Sequence, residues 1–168
     1  MKKFSLLLLF LLTILLQGCG VYSFTGTNLH PDVKTIQIDF FPNQAPLVEP
    51  SLSQSFTQGL QDLFTRQTNL TLTKSNGDLY FSGEITGYRV NPMSATAAQT
   101  AAQNRLTITV NVRFTNKLIE KDDFEKQFSF YSDFEANAQL TGGVLDAALD
   151  EILERIIQDI FNASLGNW

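Results

Sequence analysis

The residues best placed for covalent chemistry are Leu16-Gln17-Gly18-Cys19, closing a stretch that opens Met1-Lys2-Lys3 and runs apolar from Phe4 to Leu16. The chemistry they suggest is acylation of a thiol. Two lysines supply the positive n-region of a secretory signal peptide, Leu6 to Leu16 the apolar h-region, and Gly18 the small residue at the cut. Cleavage before Cys19 leaves that cysteine at the mature N terminus, where a lipoprotein carries its diacylglycerol. Gln17 departs from the small or β-branched residue usual at its position. The apolar run is shorter than the roughly 20 residues of a spanning helix. Two acyl chains, unlike one, make attachment stable.

Few other residues suggest chemistry. Cys19 is the only cysteine, so once acylated it leaves no thiol for a disulfide, a metal or nucleophilic attack. His30, the only histidine, stands beside Pro31 and lacks the companions a metal site needs, so it reads as a surface residue. Asp122, Asp123 and Glu125 form a charged turn rather than an acid–base pair. No Gly-rich phosphate loop or nucleophile elbow is present. The chain therefore reads as a non-enzyme without cofactor or metal. Arg89 and Arg105 differ: they flank the 91–103 connection, and a hairpin there brings them to one end of a sheet. Arginine binds phosphate through a bidentate fork. The plainer alternative is that each pairs with a carboxylate such as Glu84.

Composition narrows the classes further. Removing residues 1–18 takes two of the twelve basic residues and leaves ten against seventeen acidic ones, a formal charge of −7. That balance argues against nonspecific nucleic-acid binding, which feeds on clustered Lys and Arg. The remaining length suits one domain, and the twelve of fourteen Phe residues that lie beyond residue 18 supply its packing.

These residues are positioned by elements whose periods are legible. Residues 19–32 read as a lipidated tether and 33–168 as a single domain. Val33 to Phe41 alternates as a half-buried strand, broken by Pro42 and Pro46. Pro50 opens a helix whose apolar stripe is Leu52, Phe56, Leu60, Leu63 and Phe64. Leu79 to Val90 is a second strand, with Leu79, Phe81 and Ile85 inward; Gly83 and Gly87 share that face, predicting close approach of a helix backbone or a bulge. Asn104 to Asn116 alternates with one wholly apolar and one wholly polar face, as in a sheet covered on one side. Phe124, Phe128, Phe130 and Phe134 give a fourth strand, and Leu145 to Ile160 a last helix with acidic residues in its N-terminal half. The predicted fold is α+β: a four-stranded, mostly antiparallel sheet with two helices on one face, in the order β-α-β-β-β-α.

Cys19-Gly20-Val21-Tyr22-Ser23-Phe24-Thr25-Gly26-Thr27, Val33-Lys34-Thr35-Ile36 and the block from Ala102 to Val110 resemble the LptE-type lipopolysaccharide-assembly lipoproteins, in their Bacteroidetes branch. The resemblance implies an outer-membrane lipoprotein of the periplasmic face, sitting as plug and assembly partner in a large β-barrel translocon subunit and binding lipopolysaccharide. Gly20 stands where an inner-membrane retention signal would have Asp. Because lipid A carries phosphates, Arg89 and Arg105 become the candidate lipopolysaccharide contacts, and the 91–103 loop the segment that reaches into the barrel. Two alternatives stay open: a periplasmic lipid carrier with an apolar groove between helices and sheet, and a lipoprotein that activates a cell-wall enzyme.

Overall fold

The computed structural model describes residues 29–47, 49–93 and 102–166. Five strands form one mixed sheet, with β1 (Thr35–Ile38), β2 (Thr71–Thr73), β3 (Leu79–Met93), β4 (Gln103–Asn116) and β5 (Phe124–Glu135) in the order β2-β1-β3-β4-β5. Helix α1 (Leu52–Gln67) joins β1 to β2, and α2 (Gly143–Leu165) closes the domain. The α+β class and the two helices on one face agree with the sequence; the strand count and pairing do not. Strand β2 is a fifth strand, and β1 runs parallel to both β2 and β3. Only β3, β4 and β5 form the antiparallel meander. β2 escaped the sequence reading because it is three residues long and edge-exposed, with Leu72 facing water, so burial imposes no alternation on it. The first helix begins at Leu52, two residues after Pro50.

Both helices pack on the inward face. Their direction follows from two contacts: Gly59 faces Ile157, and the Phe64 and Phe161 rings lie 5.0 Å apart. The two helices are therefore parallel neighbours. Gly59 permits the approach, since a β-carbon there would come within 2.7 Å of Ile157 Cδ1. Aromatic rings continue the contact from helix to sheet, through Phe64, Phe81, Phe114, Phe124 and Phe128. Phe41, Phe56, Leu60, Ile85, Ile108 and Ile152 fill the remaining space between layers and are fully buried. Among the described residues the space between helices and sheet is filled by these side chains, which counts against a lipid-carrier groove there. Burying large aromatic and aliphatic side chains is what holds the layers together.

The domain has two distinct ends. At one, Leu29 and Val33 lead into β1, Asp78 binds the Lys34 and Thr35 amides, and α1 finishes at Gln67. At the other, β3 and β4 run past the helical layer as a hairpin: Arg89 to Met93 are exposed, after an alternating stretch that ends at buried Tyr88. Fifteen residues of β3 span about 50 Å between those ends. The expected 91–103 loop is shorter than the sequence suggested, because Asn91 to Met93 and Gln103 to Arg105 pair as strand; residues 94–101 lie outside the described residues.

Candidate functional site

The candidate site is the sheet face that neither helix covers. Its rungs across β3, β4 and β5 are set by register: Ser82-Arg113-Glu125, Glu84-Asn111-Gln127, Gly87-Thr109-Ser129, Arg89-Thr107-Tyr131 and Asn91-Arg105-Asp133. Opposed residues in an antiparallel pair share a face, so each rung is one row of side chains. No aliphatic side chain stands in these rows.

The rows are bound together. Arg113 donates to Glu84 at 2.9 Å and lies 3.8 Å from Glu125. Asn111 Nδ2 donates to both carboxylates at 3.1 Å, and the Thr109 and Ser129 hydroxyls meet at 3.0 Å. The Arg113 hydrogen bond, followed by that of Asn111, holds Glu84 below the usual carboxylate range. On the β1 side, Tyr80 donates its hydroxyl to Asp39 at 2.6 Å, and that bond raises the phenol pKa.

Arg89 and Arg105 come together at the hairpin end, on this uncovered face. Their environments differ. The Arg105 guanidinium gives Nε and Nη2 to Asp133 at 2.7 and 2.8 Å, and lies 3.6 Å above the centre of the Tyr131 ring. The same bond pushes the Arg105 pKa up and the Asp133 pKa down. Arg89 is exposed, and no carboxylate among the described residues pairs with it. Glu84 is engaged by Arg113 rather than by either candidate. Asp133 and Tyr131 belong to this site but went unnoticed in the sequence; their outward parity on β5 was readable, whereas the register that sets them beside Arg105 was not.

The bulge carries the placement of Arg89. Register shifts between Ile85 and Gly87, leaving Thr86 as the extra residue. Inward positions are odd-numbered through Ile85 and even-numbered from Tyr88, so Gly87 faces outward beside Thr109 instead of inward. A bulge was one of the two expectations for this stretch. The close approach also exists, at Gly83, but from the Asn111 backbone of β4 and the Phe41 ring rather than from a helix.

The remaining sequence candidates are unremarkable in chemistry. His30 is exposed, and its Nδ1 accepts from the Asp32 amide at 3.3 Å. Asp123 accepts from the Asn116 amide at 2.7 Å and so pins the turn before β5. Among the described residues, no group of His, Cys, Asp or Glu has the arrangement to hold a metal, and no helix is long and apolar enough to cross a membrane. Cys19 lies outside the described residues.

No curated protein matches this sequence. Among solved structures, the hypothetical protein CT253 from Chlamydia trachomatis is 9% identical with a TM-score of 0.55, covering 80% of this chain and 99% of its own, which shows a shared fold. A minor lipoprotein from Acinetobacter baumannii is 9% identical over 79% of this chain and 90% of its own, with a TM-score of 0.48. The rare lipoprotein B of Shewanella oneidensis is 11% identical over 76% of this chain and 89% of its own, with a TM-score of 0.42. The family model described as LptE, lipopolysaccharide-assembly, matches residues 33–164, which takes in every strand and all but the last residue of α2. The chain belongs to the LptE lipopolysaccharide-assembly family.

Proposed function

We propose that the protein is an outer-membrane lipoprotein, anchored at the periplasmic face through acylated Cys19, that serves as plug and assembly partner of a large β-barrel in lipopolysaccharide transport. Its work is assembly, not catalysis. Residues 1–18 are the signal peptide and 19–32 the tether in this reading. Membership of the Bacteroidetes branch is part of this reading, suggested by the resemblance at 19–27, 33–36 and 102–110.

One observation carries the proposal: the core is complete without the outer sheet face, yet that face is an ordered array of donors and acceptors. The Glu84-Arg113, Thr109-Ser129 and Arg105-Asp133 pairs tie it together. Barrel lumens are polar, so such a face exchanges water for lumen groups with its Glu84, Arg113, Arg105 and Asp133 charges already paired, Arg89 being, among the described residues, the one left for a ligand or lumen partner. The hairpin, about 50 Å from the chain's entry, is the part that reaches deepest, carrying Arg89 and Arg105 toward the phosphates of lipid A. Activation of a cell-wall enzyme through the same face is the rival use of it.

The test is photocrosslinking in outer membranes. Reactive residues at Gln127 and Tyr131, which face outward, should capture a large β-barrel, whereas one at Glu154 on the outer side of α2 should not. Capture of a peptidoglycan enzyme from the first two positions, or no capture at all, would defeat the proposal.

A further inference from the structure

A second candidate site lies at the opposite end of the domain from Arg89 and Arg105. Leu29, Val33 and Leu70 form an apolar wall, and His30, Lys34 and Arg66 the polar one, of an open cavity of about 420 Å³. Three segments converge there: the approach to β1, the last turn of α1 and the start of β2. The convergence is fixed by the Thr71 amide donating to the Lys34 carbonyl at 2.9 Å.

The charges of this cavity are unbalanced. Among the described residues, neither Lys34 Nζ nor the Arg66 guanidinium has a carboxylate partner. Asp32 approaches His30 Nδ1 at 3.6 Å, but its side chain points to solvent, 77% exposed. The end of α1 turns the carbonyls of its last turn toward this end, so an anion here must be held by the two cations against the negative end of the helix dipole. Thr68 caps the helix, donating its amide and hydroxyl to the Phe64 carbonyl at 3.0 and 2.6 Å. A chain whose formal charge is −5 thus holds two unneutralised cations over an apolar wall.

From this we infer that the cavity binds a phosphate-bearing anion, with Lys34 and Arg66 as its charge partners and the Leu29–Val33–Leu70 wall taking an attached apolar portion. Lysine supplies a point charge and arginine a fork for phosphate oxygens. The volume is in the range of small-ligand sites. Cys19 is ten residues before Leu29, a reach of at most about 35 Å. A phospholipid headgroup is therefore one source of the phosphate, and a free phosphate the other. The inference does not depend on the barrel or on the hairpin.

His30 is the only histidine and lines the cavity, so its imidazole NMR signals report occupancy at one residue. The full chain in an uncharged detergent is titrated at fixed pH with a short-chain phosphatidylglycerol, with phosphatidylcholine of equal chain length, and with inorganic phosphate. Saturable movement of the His30 signals by phosphatidylglycerol alone identifies a headgroup site. Equal saturation by inorganic phosphate identifies a free-phosphate site. In either case Lys34→Gln with Arg66→Gln should weaken binding by at least about tenfold, while Lys34→Arg with Arg66→Lys retains it. Both pairs of substitutions are at exposed positions, so the unfolding midpoint should not move. No saturable movement with any anion, or movement unchanged in the Gln variant, overturns the inference.

Discussion

Arg89 on β3 and Arg105 on β4 are diagonal neighbours on the uncovered face, Arg89 opposite Thr107 and Arg105 two residues earlier opposite Asn91. Arg105 is there by the plain alternation of β4, and Arg89 because Thr86 lies outside the ladder and is not counted in the alternation of β3. In an unbroken ladder Arg89 would share the parity of Ile85 and point at the helices; Thr86 steps out of register and reverses that. One residue of slip moves every later side chain to the other face.

Two deletions separate the bulge from the ladder. Removing Thr86 leaves Ile85 opposite Val110 and Gly87 opposite Thr109, so the variant should fold with both arginines still outward. Removing Ser82, in the regular part of β3, turns Leu79 and Phe81 away from the core. That should cost about 1.5–3 kcal/mol for each of the two side chains. Urea unfolding compares them, and equal losses would refute the bulge assignment.

Gly83 is held between strand and loop. A β-carbon there would lie 2.1 Å from the Asn111 carbonyl oxygen and 2.6 Å from Phe41 Cε1. Gly83→Ala should therefore destabilise by about 1–3 kcal/mol, the range for forced overpacking. Truncating Phe41 as well should not rescue it, because the tighter contact is with backbone. Full rescue in the double variant would assign the clash to the ring alone.

How much was legible follows from which face each residue serves. β4 was readable to within one residue, since from Leu106 onward its apolar face is buried and burial enforces alternation. The helices were readable for the same reason, although Ser53 and Thr57 are buried where the pattern looked polar. Thr57 Oγ1 bonds the Ser53 carbonyl and accepts from the Phe41 amide, which satisfies it inside. β2 was not readable, having no buried face, and neither was its parallel pairing with β1. At the site, the hairpin that unites Arg89 and Arg105 was foreseen, but the Asp133 clamp depends on β4–β5 register, which local pattern does not encode.

Asp78 makes stability depend on acid. Its Oδ2 accepts from the Lys34 and Thr35 amides at 3.0 and 2.9 Å and from the Thr35 hydroxyl at 2.7 Å. The Lys34 amide, then the Thr35 hydroxyl, hold the carboxyl below its ordinary range. A carboxyl lowered on folding contributes stability above its unfolded pKa of about 3.9, and that contribution is lost as pH falls through the folded pKa. Asp78→Asn should be less stable than wild type by about 2 kcal/mol at neutral pH. The gap should begin to close below about pH 4. A gap that is constant with pH would mean that the amides do not select the ionised form.

Arg89 and Arg105 should contribute unequally to lipopolysaccharide binding. Arg89 has no described carboxylate to leave, whereas Arg105 is already gripped along one edge by Asp133 and stacked on Tyr131. A phosphate therefore meets Arg89 without competition and Arg105 only against a bond already made. Arg89→Ala should weaken binding by about tenfold, and Arg105→Ala by less. The double variant should bind most weakly. It also loses the bidentate Arg105–Asp133 pair, which costs about 1 kcal/mol or less of folding stability, so its unfolding midpoint should fall only slightly and binding is compared well below it. Asp133→Asn frees the Arg105 fork and should tighten binding. Immobilised lipopolysaccharide titrated with the four variants reads this order, and tighter binding by Arg89→Ala, or no effect of any variant, would place the lipid contacts elsewhere on the molecule.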